Sequence, residues 1–150
     1  MALNDVTDLV TGSAATSTAE LVAIEALASV TATNSAPSGA AVGCDLDIFK
    51  RFLGKLPSEA TARVRSTAGS ATMTVTIRVW GYQGTLGWSP LGYLNGGSAI
   101  AESSADSIQY AEPLSLPEHF TRIYFEVTAI GGTNTAVTVY LVGRRFYGGQ

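Results

Sequence analysis

Hydrophobic and polar positions alternate with period two along most of this chain, most clearly near its C-terminal end. In RIYFEVTAIGGTNTAVTVYLVGRR, residues 122–145, Ile123, Phe125 and Val127 alternate with Arg122, Tyr124, Glu126 and Thr128; further on, Val137, Val139 and Leu141 alternate with Thr138, Tyr140 and Val142. The spacing predicts two strands joined as a hairpin by Gly131-Gly132-Thr133, with a glycine available for a left-handed position. Side chains on a strand have period two, so the apolar sets share a face only in registers whose paired numbers sum to an even value. Such a register pairs Val127 with Val137, Phe125 with Val139 and Ile123 with Leu141, and sets Tyr124 against Tyr140 on the other face. A two-stranded hairpin is not stable alone, so the pattern requires a covering sheet.

The same alternation recurs upstream. Met73, Val75, Ile77 and Val79 oppose Thr72, Thr74, Thr76, Arg78, Trp80 and Tyr82, the cleanest strand in the chain. Ala62 and Val64 oppose Arg63 and Arg65 in a half-exposed strand over 59–66, and Ala68-Gly69-Ser70 reads as the turn after it. Cys44, Leu46 and Ile48 oppose Asp45 and Asp47, which predicts a strand from 44 towards 53, although Phe49 and Lys50 break its alternation. Residues 20–33, ELVAIEALASVTAT, have the Glu, Ala and Leu of a helix but alternate and run into Val30-Thr31, so a strand is favoured. NSAPSGAAVG, 34–43, is a loop by its Pro, Ser and Gly. After Tyr82 a short hairpin returns through Trp88, and the prolines of 111–120 confine that stretch to a sheet edge or a connection. About seven or eight short strands without a long helical run predict an all-β antiparallel sandwich of jelly-roll type. Residues 1–19, small and rich in Thr, Ser and Ala, read as an extended N-terminal arm, and 20–150 as one domain.

Composition narrows the function. Only 14% of the 150 residues are charged, well below the roughly 25% of an average globular protein, which fits a chain that hides part of its surface in an assembly. Net charge is −3 and the basic residues are scattered, unlike the basic footprint of a nucleic-acid binder. A single cysteine, Cys44, leaves no intrachain disulfide and reads as a small buried hydrophobe. Asp5 and Asp8 stand where a signal peptide needs basic residues followed by an apolar run. No apolar stretch approaches the roughly 18 residues of a membrane span.

A search for chemistry returns mainly absences. His119, the only histidine, sits beside Pro117 and Phe120 and reads as a loop residue; a histidine-based zinc triad is out of reach for one chain. Gly87-Trp88-Ser89-Pro90-Leu91-Gly92 has one residue too many for a nucleophile elbow, and Asn95-Gly96-Gly97-Ser98 lacks the Lys-Ser/Thr of a phosphate loop. Asp45 and Asp47 would share a strand face but lack the further spaced acids of a calcium loop. No catalytic residue, metal or cofactor is expected, and the chain reads as a non-enzyme. What remains is aromatic: Arg78, Trp80, Tyr82, Trp88, Tyr93, Tyr124 and Tyr140 are the candidate interface residues. If their strands share a sheet, they form an amphipathic patch with an arginine. Such a patch serves a protein interface, stacks sugar rings, or becomes a second small core under a loop folded over the sheet.

The Thr-rich strand ending in IRVWGY, the Gly/Trp turn region and FTRIYFEVTAIGGTNTAVTVYLVGRR together resemble the small capsid decoration, or cement, proteins of tailed bacteriophages, over roughly residues 60–146. The resemblance implies a β-sandwich or jelly roll made in the host cytoplasm, forming a homotrimer on the outer surface of an icosahedral virion. There it would clamp neighbouring major capsid protein subunits, with no nucleic-acid or membrane partner. The alternative is a carbohydrate- or receptor-binding module of a phage fibre or tail, using Trp80, Tyr82, Trp88 and Tyr93 on a glycan.

Overall fold

The structure is a computed structural model and describes residues 21–53, 57, 59–66, 73–102, 107–116, 119–132 and 136–144. The arm assigned to residues 1–19 and the turn at 68–70 lie outside the described residues. Among the described residues the strands are β1 (Leu21–Val30), β2 (Cys44–Asp45), β3 (Glu59–Ser66), β4 (Met73–Gln83), β5 (Gly87–Tyr93), β6 (Ile100–Glu102), β7 (Ser107–Ser115), β8 (Arg122–Gly131) and β9 (Val137–Arg144), with one α-helix, α1 (Asp47–Leu53). They form two sheets, ordered β1-β9-β3-β7 and β2-β8-β4-β5, with the short β6 also on β4. Every pairing is antiparallel.

With β6 set aside, the pairs β1·β9, β2·β8, β3·β7 and β4·β5 are nested, as in one long hairpin rolled up on itself. β9 then joins β3 and β8 joins β4 to close each sheet. This is the strand order of a jelly roll, an all-β sandwich of two four-stranded sheets. The core lies between the sheets. Val22 and Ile24, Ala60, Ala62 and Val64, and Val137, Val139 and Leu141 line one inner face; Val75, Ile77 and Val79, and Ile123, Phe125 and Val127 line the other, all 3% exposed or less.

The favoured strand over 20–33 is present as β1, which shows that burial against β9 outweighs the helix propensity of its Glu, Ala and Leu. The predicted hairpin over 122–145 is not formed. β8 pairs with β4 and β2, whereas β9 pairs with β1 and β3, so the chain changes sheets between Gly131 and Val137. Val127, Phe125 and Ile123 therefore lie in the sheet opposite Val137, Val139 and Leu141 rather than beside them. Tyr124 and Tyr140 are likewise on different sheets, and their predicted pairing is absent. Alternation with period two is the same whether two apolar strands lie side by side or face each other across about 10 Å of core.

The second correction is at 44–53. Only Cys44 and Asp45 pair as a strand, opposite Ile123 and Arg122, after which the chain turns into α1. The Asp45 side chain accepts the Asp47 N–H at 2.9 Å, starting the helix with the local bond that short acidic side chains favour. Leu46, Phe49 and Leu53 then follow the three- and four-residue spacing of a helical face, with Leu46 and Phe49 buried. The alternation that broke at Phe49 and Lys50 was a change of period. Asp45 and Asp47 consequently do not share a strand face: Asp45 lies 3.9 Å from Arg122, and Asp47 is 4.0 Å from Lys50 one helical turn on.

Two phenylalanines plug the sandwich where β4 and β9 approach its end. Each rests on an inward-facing glycine: a Cβ on Gly143 would lie 2.6 Å from the Phe49 ring, and one on Gly81 2.9 Å from the Phe120 ring. Glycine here supplies room for an aromatic side chain from another segment. Cys44 is 4% exposed, and burial, reinforced by the Asp45 charge against the opposing pull of Arg122, pushes its thiol up to about 12. The thiol is therefore expected to stay silent towards a disulfide reagent at pH 8 in the native protein and to react fully in denaturant; rapid native labelling would contradict its place in the core.

Candidate functional site

The inward course of Val75, Ile77 and Val79 forces Arg78, Trp80 and Tyr82 onto the outer face of the β4 sheet. The neighbouring strands set three cross-strand rows there. Arg78 lies between Tyr93 and Glu126, Trp80 between Pro90 and Tyr124, and Tyr82 between Trp88 and Arg122. Six of the seven candidate residues are thus on one sheet face. The exception is Tyr140, on β9 of the other sheet.

The six residues divide into two groups. Tyr82 and Trp88 have ring centroids 5.0 Å apart, and Trp88 meets Tyr124 edge-on at 6.0 Å, the tilted geometries that aromatic quadrupoles prefer. Residues 34–43 pass over this group as a strap. Asn34 starts it by pairing with the open edge of β8: its N–H donates to the Val127 carbonyl at 3.2 Å, and its side-chain oxygen accepts the Val127 N–H at 2.7 Å. The Tyr124 hydroxyl then donates to the Ser35 carbonyl at 2.9 Å, and the Trp88 indole N–H to the Gly39 carbonyl at 2.8 Å. Arg122 ends the strap, with Nε donating to the Val42 carbonyl at 2.7 Å and Nη2 to the Gly43 carbonyl at 2.9 Å. A loop with no ladder of its own thereby has several of its carbonyls satisfied by side chains of the sheet beneath it. Burial, then the Glu126 charge, raise the Tyr124 hydroxyl above the ordinary tyrosine range. Tyr82, Trp88 and Tyr124 are thus half-buried, with Trp88 and Tyr124 tied to the loop that passes over the sheet.

The second group is Arg78, Trp80 and Tyr93. The Arg78 guanidinium carbon lies 4.7 Å from the centre of the Trp80 ring and 5.6 Å from that of Tyr93, within cation–π range of both. The Trp80 indole N–H donates to Glu126 at 2.8 Å, which fixes the ring. Arg78 Nε is buried with no hydrogen-bond partner, while Tyr93 keeps 41% of its surface exposed. A cation held over two rings, one of them open to solvent, is suited to contact with a polar or acidic partner surface.

Sequence reasoning did not single out Asn34, Arg122 or Glu126, which position these aromatics, nor a tie at the sandwich rim. There the Glu112 carboxylate accepts hydrogen bonds from the Tyr110 hydroxyl and, at 2.7 Å, from the Asn95 N–H. Asn95 and Gly96 are both left-handed, in a short 3₁₀ segment at Leu94–Gly97, a turn that the Asn-Gly-Gly sequence signals. Burial, followed by the bond to Glu112, pushes the Tyr110 hydroxyl up to about 12. His119 is exposed against Phe120. Among the described residues no group of three or more His, Cys, Asp or Glu side chains is placed to hold a metal ion.

Comparison with known protein families, with curated proteins and with solved structures finds no match to this chain. Its class is defined by its own strand order, a jelly-roll sandwich with one outer face partly strapped by its own loop.

Proposed function

We propose that this protein is a non-enzymatic structural component of a tailed-phage particle, decorating the outside of the capsid and clamping neighbouring major capsid subunits. The observation that carries this reading is the Arg78–Trp80–Tyr93 group, half-buried at Arg78 and Trp80 and exposed at Tyr93, an aromatic and guanidinium patch of the composition that dominates protein interfaces. The sandwich beneath it supports the same reading. A clamp needs a stiff framework, an anchoring patch and little self-repulsion when copies crowd a surface, and a chain with 14% charged residues and net charge −3 has the last of these.

Purified protein mixed with emptied heads of the phage that encodes it should co-sediment with them. Tyr93→Ala removes an exposed ring without opening the core and should weaken that binding about ten- to thirty-fold at unchanged thermal stability. Wild-type binding to heads that Tyr93→Ala and Arg78→Ala leave untouched would move the contact elsewhere; no binding at all would end the proposal. A second reading, glycan recognition, is favoured by the exposed Tyr93 ring beside Arg78, since such a ring stacks a sugar face. Glycan-array binding lost in Tyr93→Ala would select it. Trp88 is a poor anchor in either case, because its indole N–H is already bonded to Gly39.

A further inference from the structure

The outer face of the β1-β9-β3-β7 sheet carries a charge pattern assembled from three strands distant in the chain. Tyr140 sits at its middle on β9. Register places Glu25 of β1 beside it on one side and Arg63 of β3 beside it on the other. All three are half-buried, and neither Glu25 nor Arg63 forms an ion pair among the described residues. They stand two strand spacings apart, about 10 Å, too far to pair within the chain. The next row repeats the arrangement without charge, Val142 lying between Ala23 and Thr61. Ala23 and Thr138 also point outward by register but are 1% and 4% exposed, covered within the chain itself, so what the face presents is the half-buried Tyr140, Glu25, Arg63, Val142 and Thr61.

We propose that this face is a self-association surface, on which a second copy of the chain packs sheet to sheet about a two-fold axis running along β9. That operation lays Tyr140 on Tyr140 and Val142 on Val142. It also carries β1 of one copy over β3 of the other, so that Glu25 of each copy meets Arg63 of its mate. An isologous interface must be complementary to itself, and a row of acid, aromatic, base satisfies that condition about its own centre. The opposite sheet offers no equivalent, because residues 34–43 occupy part of its outer face. Only β1, β9 and β3 overlap their counterparts about this axis; three strands about 4.8 Å apart and about eight residues long give a footprint of about 400 Å² per copy, below that of a standard complex, so the dimer is weak and forms only at high concentration. Such a dimer requires no capsid and differs from the trimer implied by the resemblance.

Sedimentation equilibrium of the full chain from about 1 to about 200 µM is the test. The wild type is expected to follow a monomer–dimer equilibrium. Arg63→Glu places two acids together at both ends of the row and should raise the dissociation constant about ten-fold or more. The double swap Glu25→Arg with Arg63→Glu restores opposite charges across the axis and should return it to within about three-fold of the wild type. Tyr140→Ala should remove the dimer while the thermal midpoint of the monomer stays in place. A monomer at every concentration, a trimer, or a dimer indifferent to Tyr140→Ala and not rescued by the swap would overturn the proposal. Because rescue requires both variants to fold, it separates a lost interface from a lost structure.

Discussion

Phe49→Ala is expected to lower the unfolding free energy by about 3–5 kcal/mol, the range for truncating a fully buried phenylalanine in a core that relaxes only partly. Phe49 is 0% exposed and its ring lies over Gly143, at the end of β9. Removing it opens a cavity bounded by two elements, and neither can collapse without disturbing β9 or α1. Gly143→Ala approaches the same contact from the other side, since the added methyl would stand 2.6 Å from a ring atom with nowhere to go. Urea titration of both variants checks the pair. Losses below about 1 kcal/mol in both would mean that α1 does not close the sandwich.

Gly43→Ala is the second large effect, expected at about 2–4 kcal/mol. Gly43 has φ +81, and a Cβ there would meet the Ile123 carbonyl oxygen at 2.6 Å and the Trp88 ring at 3.2 Å. Backbone cannot yield as a side chain can, so the strap must lift or β2 must leave β8. Gly39 is the control. Its φ is +80, but nothing lies within 4 Å of its added Cβ, so Gly39→Ala incurs only the left-handed strain, about 1 kcal/mol. The difference between the two variants in chemical denaturation measures the clash, and a red shift of tryptophan emission in Gly43→Ala alone would report Trp88 leaving the strap. Equal losses in the two variants would show that the strap does not press on the sheet.

How far the fold was legible follows from what alternation encodes. Period two marks which residues of a strand face the core, and it identified the inward sets of β3, β4, β8 and β9 correctly. It carries no information about which sheet a strand joins. Gly131-Gly132 looked like a hairpin turn because a loop that changes sheets uses the same residues as one that reverses within a sheet. For α1 the signal was present at Phe49 and Lys50, but seven residues are too few for a helical period to outweigh the strand pattern before them. Six of the seven candidate interface residues came together because β4, β5 and β8 are neighbours. What lay beyond the sequence was the division of that patch: Asn34 and Arg122 are far from Trp88 in the chain, and only the fold brings residues 34–43 across it. A hairpin over 122–145 sets Tyr140 beside Tyr124, and the sheet change between β8 and β9 separates them. Released from that pairing, Tyr140 belongs to the opposite face, beside Glu25 and Arg63.

We propose this jelly roll as a particle protein that binds the capsid exterior through a fixed patch. If the proposal holds, a phage genome encodes the chain, and electron cryomicroscopy of that phage's virions with and without it is the most direct test. The expected result is ordered density for a two-sheet sandwich on the outer shell, with Arg78, Trp80 and Tyr93 against at least one capsid subunit, and heads that rupture more readily when the chain is missing. Purified virions that lack the chain, or whose outer surface is unchanged by its deletion, would contradict the account.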